Sequence, residues 1–226
     1  MALHLSRSAW AHILPFALFI GLLALRGAAP ADGSWGFDTR WLYAVQAVVV
    51  AAALVGLWRH YGELFRQNLP STTEWLLAVA VGLVVFVLWI TLDAPWMILG
   101  ESSASFVPTD ASGRLDWPLI AFRLAGAAIV VPLMEELFWR SFLMRWIDRP
   151  IFESVDPHTV SLKAVLLSTF VFTLAHTQWL AAVVAGLAYA WIYRHTGKLW
   201  TAVAAHAVTN AVLGVWVVYT GNWAFW

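Results

Sequence analysis

The chain contains no cysteine. That excludes disulfides, cysteine-ligated metals and a thiol nucleophile. It is also short of charge: charged residues are 12% of the 226 positions, against roughly 25% in ordinary soluble domains. Basic and acidic residues balance at 13 each, so nothing points to a nucleic-acid partner. No internal repeat, low-complexity tract or appended soluble domain stands out.

What is present is apolar. Hydrophobic residues make up 62% of the chain, and the mean hydropathy is +0.74. They fall in seven runs, near 9–28, 41–58, 74–98, 117–146, 161–176, 179–194 and 199–219. Runs of this length and composition predict membrane helices. The expected fold is all-α: a polytopic transmembrane bundle of seven or eight helices, in one domain over 1–226. Loops carrying Gly, Pro, Asp and Arg separate the runs. Several of the 16 tryptophans (Trp41, Trp58, Trp75, Trp200, Trp223) sit at run ends, as an interfacial belt places them. The first run follows Arg7 and precedes "GAAPA", as a signal peptide would; its length and Arg26 favour a retained anchor.

Basic residues set the expected orientation. If the runs alternate across the bilayer, Arg7, Arg59, Arg66, Arg145, Arg149, Lys163, Arg194 and Lys198 share one side. Arg26, Arg40 and Arg114 face the other, and Arg123 and Arg140 lie within a span. The excess puts the N-terminus in the cytoplasm. One segment fits poorly. Residues 163–175 are short for a crossing that takes about 20 helical residues, and the polar "HTQ" (His176, Thr177, Gln178) follows at once. Polar backbone at that depth needs a covering cavity or protein, so His176 is expected to line a cavity.

The polar groups inside apolar runs carry the chemistry. Glu135 and Glu136 are adjacent, so on a helix they point about 100° apart and cannot share a job. Glu136 and Arg140 are four apart and can pair, as a supporting clamp. Glu135 has no local cation. Unpaired in a low-dielectric cavity, it suits a general base or acid. Phe172 can pack on His176, four residues on; the plain alternative is a buried histidine bonded to a carbonyl. His206 and Asn210 share a face of the last run, as interhelical hydrogen bonding alone would also require. Taken together, Glu135, His176, His206 and Asn210 suit amide hydrolysis: the glutamate with a histidine for water activation, a histidine with the asparagine for the oxyanion. Alternatively Glu135, His176 and His206 could bind a divalent metal such as zinc, with water in an open position.

In order along the chain, "EELFWR", "FTLAH" and "HAVTN" read as EExxxR, FxxxH and HxxxN. They resemble the motifs of the CAAX-protease and bacteriocin-processing family. That resemblance implies an intramembrane, glutamate-dependent endopeptidase, often described as a metalloprotease. It implies a catalytic helical core over 117–219. Glu135 becomes the water-activating or metal-binding residue, His176 its partner, His206 and Asn210 the oxyanion or second-histidine position, and Glu136 with Arg140 the supporting pair. "LPFALF", "RHYGEL", "VFVLWI" and the closing "GNWAFW" resemble a bacterial subgroup associated with exosortase systems. This implies the bacterial inner membrane, a membrane-associated protein or peptide substrate, and exosortase-system partners. Two other classes stay open: a non-catalytic scaffold or immunity-type binding protein, and a proton-coupled transporter.

Overall fold

The computed structural model describes residues 5–30, 34–100, 106–110 and 112–226. His4 and parts of the loops after the first and third runs lie outside them. The described residues form seven helices: α1 Arg7–Gly27, α2 Leu42–Gly56, α3 Thr72–Thr91, α4 Trp117–Asp148, α5 Leu162–Leu174, α6 Trp179–Thr196 and α7 Leu199–Thr220. Outside helices, the described pairing is one isolated bridge, Thr109 to Leu115. The fold is a helical bundle, as the apolar runs require.

The helices start and stop where local chemistry demands it. Ser6, Asp116 and Ser161 each accept a hydrogen bond from a backbone N–H in the first turn of α1, α4 and α5. α3 opens with a full capping box, Ser71 with Glu74. α6 and α7 end at Gly197 and Gly221, both left-handed.

Five helices are long and apolar enough to cross a membrane: α1, α2 with its leading turn, α3, α4 and α7. The protein is an integral membrane protein. The expected bundle of about seven helices is met among the described residues; five of the seven reach that length and hydropathy, and α5 and α6 do not. α5 has only 13 residues, about 20 Å of rise. The third run also stops early, since its helix ends at Thr91 and a short turn, Pro95–Met97, follows. Outward-facing Leu76, Ile129, Phe170, Leu174 and Val215 are exposed, which suits lipid and not water.

α3 and α7 run parallel in close contact. Lys198 Nζ meets Glu74 Oε2 at 2.7 Å near their starts, and Thr209 Oγ1 donates to Gly82 O at 2.8 Å further along. Gly82 must be glycine here, because a Cβ would collide with the Ala205 carbonyl and Val208. The core lies between α4, α5, α6 and α7, around Met134, Leu137, Phe172, Tyr189 and Tyr193.

Candidate active site in the membrane

α4 is one helix with irregular turns. Two stretches, Gly126–Val130 and Leu137–Met144, are wound as π-helix, with a normal turn, Val131–Glu136, between them. Such wide turns concentrate at functional sites. Pro132 accounts for part of the first. Val131 N–H donates to Gly126 O, five residues back. In that register the next donor would serve Ala127 O, but residue 132 is proline and has no N–H. Asn210 Nδ2 donates to Ala127 O instead, at 2.8 Å. A side chain of α7 thus completes the backbone of α4 about two turns before the two glutamates.

Those glutamates separate as their spacing demands. Glu136 is fully enclosed: its Oε1 accepts from His206 Nδ1 at 2.9 Å, and its Oε2 lies 3.2 Å from Arg140 Nε. The second contact is a charge contact, not an aligned hydrogen bond. Arg140 Nη2 reaches Gly186 O at 3.3 Å, and its guanidinium lies over the Phe172 ring at 4.8 Å. Glu135 is buried too, but its Oε2 has no hydrogen-bond partner.

His206 therefore bonds Glu136, not Glu135, though His206 and Glu135 still line the same cavity. The cause is helical: Glu136, not its neighbour, is on the α4 face turned to α7. The bond occupies Nδ1 and leaves Nε2 without a protein partner. Tyr189 stacks on the imidazole at 4.9 Å and fixes its plane. His176 Nδ1 bonds Phe172 O at 2.8 Å, and the two rings are 4.4 Å apart. That bond makes Nδ1 the donor and leaves Nε2 the lone pair.

His176 sits where α5 stops and α6 has not begun. The break is covered: Leu99 N–H donates to Thr177 O at 2.7 Å, and Gln178 Nε2 to Trp89 O at 3.1 Å. These bonds tie the break to the end of α3 and the turn after it, as polar groups at that depth require.

Glu135, His176, His206 and Asn210 all line one cavity of about 450 Å³. The structure brings all four together around a shared space. Sequence reasoning passed over two other lining residues, Tyr189 and Arg123. Arg123 had a signal, since a charge inside a span calls for a reason; Tyr189 had none. As a metal site the set does not fit. Among the described residues no three His, Asp or Glu side chains are grouped to hold an ion.

Residues 117–212 match the family model for type II CAAX prenyl endopeptidase Rce1-like proteins. The matched segment is under half of the chain and contains all three motifs. The likeness to that family is carried by this segment, and no finer subgroup is distinguished. No curated protein and no solved structure matches the chain.

Proposed function

We propose that this chain, a CAAX-type intramembrane protease at the family level, hydrolyses a peptide bond in a membrane-associated protein or peptide without a metal ion. The observation that carries the reading is Glu135: a buried carboxylate with an unpartnered oxygen, facing a cavity that also holds two histidines and an asparagine. Such a group costs roughly 2.5–3.5 kcal/mol in mid-membrane, so it calls for a use.

In this mechanism Glu135 takes a proton from water as the oxygen attacks the peptide carbonyl carbon. His176 Nε2 holds the water in line. The oxyanion is met by His206 Nε2, with the ring as imidazolium against Glu136, and by the second Nδ2 hydrogen of Asn210. The first Nδ2 hydrogen is held by Ala127 O. Glu135 then passes its proton to the departing amine, and the C–N bond breaks. Glu136 and Arg140 touch no substrate; they fix His206 and the wide turn of α4. The positive-inside balance supports a cytoplasmic N-terminus.

The test is fragment detection by mass spectrometry. Purified protein in proteoliposomes is given a library of membrane-anchored peptides. Fragments from the native chain and none from Glu135→Gln are expected. If both proteins yield the same fragments, Glu135 is not the base; if neither yields any while both bind the peptides, the chain is a binding protein.

A further inference from the structure

The cavity extends well beyond the catalytic groups, and its far end is cationic. Arg123, in the second turn of α4, lines it. Its guanidinium lies 4.3 Å from the centroid of the Tyr43 ring and 5.4 Å from that of Phe106. Arg26, in the last turn of α1, lies 5.2 Å from the same Tyr43 centroid. Two cations thus crowd one ring. Neither is paired with an Asp or Glu among the described residues. Arg26 is partly occupied, with Nη1 donating to Gln46 Oε1 at 2.8 Å. Arg123 contacts the Tyr43 side chain, but its Nε is buried and has no hydrogen-bond partner. The approach is built in. Gly126 lets Tyr43 lie against α4, since a Cβ there would stand 2.5 Å from the Tyr43 hydroxyl.

A guanidinium with no carboxylate partner is costly inside a membrane protein, and a second cation beside it raises the cost. An arriving anion removes it. A planar guanidinium with open N–H groups matches a carboxylate with two parallel hydrogen bonds. The distance suits a peptide. Arg123 and Glu135 are twelve residues apart on α4, about 18 Å at 1.5 Å per residue. An extended chain covers that in about five residues.

We propose that Arg123, backed by Arg26 across Tyr43, is a carboxylate subsite that anchors the substrate peptide about five residues from the bond that is cut. It rests on the peptidase reading and adds a specificity determinant to it. The carboxylate is either a chain terminus or an Asp or Glu side chain; both present the same group.

The experiment measures binding and cleavage separately. Full-length Glu135→Gln protein in nanodiscs is titrated with a fluorescent apolar decapeptide in three forms: free acid, C-terminal amide, and amide with one internal Asp. At least one carboxylate form should bind about tenfold or more tightly than the plain amide, as a charge-assisted pair provides. Preference for the free acid alone assigns the site to a chain terminus; preference for the Asp form assigns it to a side chain. Adding Arg123→Gln should erase the preference, and Arg123→Lys should keep part of it. Equal binding of all three forms overturns the subsite. So does a preference unchanged by Arg123→Gln. If Arg123→Gln does not fold, the acid-to-amide ratio in the protein that keeps Arg123 decides. The same peptides are then incubated with the native chain. Cleavage without carboxylate preference sinks the subsite and leaves the peptidase. Preference without cleavage keeps the subsite and sinks the peptidase.

Discussion

Two buried polar clusters meet the second π-helical stretch of α4, and they use the same kinds of residue differently. One is the cavity site with Glu135, Glu136, Arg140, His176 and His206. The other joins α1, the loop after α2, and α4: Glu63, His12, Ser141 and Arg145. In this second cluster Glu63 Oε1 accepts from His12 Nε2 at 3.0 Å and from Ser141 Oγ. Arg145 Nη2 donates to Ser141 Oγ at 2.6 Å, and His12 Nδ1 is spent on Ser8 O at 2.8 Å. Both ring nitrogens of His12 are taken. In the first cluster each histidine keeps one nitrogen without a protein partner, and Glu135 keeps an oxygen. The difference between a clamp and a site is therefore not residue type. It lies in which atoms are left over, and in whether a cavity meets them.

The sharpest way to break that comparison is to neutralise one acid from each cluster. Glu135→Gln should lower cleavage by about 10²–10⁴-fold, the usual worth of a positioned base. Its melting temperature in detergent should stay level or rise, because an unpaired buried carboxylate is lost. Glu63→Gln should do the reverse, with kcat nearly kept and melting lowered. Equal losses of activity from both would erase the distinction.

Next in size is the pair inside the cavity site that behaves like a clamp. Arg140→Met leaves Glu136 enclosed with His206 as its remaining partner. The expected cost is about 3–5 kcal/mol in unfolding free energy, with activity lost through stability. Denaturant titration in mixed micelles measures it. A cost below 1 kcal/mol would show that Glu136 does not depend on Arg140.

These two residues show how far the sequence could be read. Helix spacing alone separated Glu135 from Glu136 and joined Glu136 to Arg140, because contacts four residues apart are set by one helix. The pairing of His206 with Glu136 was out of reach. It depends on the rotation of α7 against α4, which no local pattern encodes. The stop of α5 before His176 was legible as a length deficit. The shortfall of α6 was not, because an apolar helix packed inside a bundle resembles a span in composition. The second cluster was invisible for a similar reason. Its members are 51 and 78 residues apart in sequence, and a histidine near the N-terminus carries no mark of what it will meet.

A smaller effect tests the join between Asn210 and α4. Asn210→Ala should leave Ala127 O without its donor, at about 1–3 kcal/mol. Adding Pro132→Ala restores a backbone N–H at the missing position. The double variant should recover much of that stability yet stay poorly active, since the oxyanion donor is still absent. Recovery of both would mean that Asn210 only completes the helix. Recovery of neither would mean that Pro132 does not set the wide turn.

The smallest expected effect is a pH dependence confined to the clamp. Burial pushes the Glu63 carboxyl upward and is the largest single influence, but hydrogen bonds from His12 and Ser141 and the charge of His12 outweigh it. The net result is a pKa lowered to about 2. A carboxylate held lower in the folded state than in the unfolded chain stabilises the fold above its unfolded pKa. That contribution fades as pH falls toward the folded value. With the unfolded value at the usual 4.5, the loss should be on the order of 1 kcal/mol by pH 4 and grow toward pH 2. Melting of the native chain followed from pH 6 to pH 3 should show this fall, and Glu63→Gln should flatten that part of the curve. Glu135→Gln should leave the same part of the curve in place, because Glu63 and its partners are untouched. If Glu63→Gln and the native chain lose stability in parallel over this range, the clamp does not hold its carboxylate charged. The contrast between the two clusters would then rest on the cavity alone.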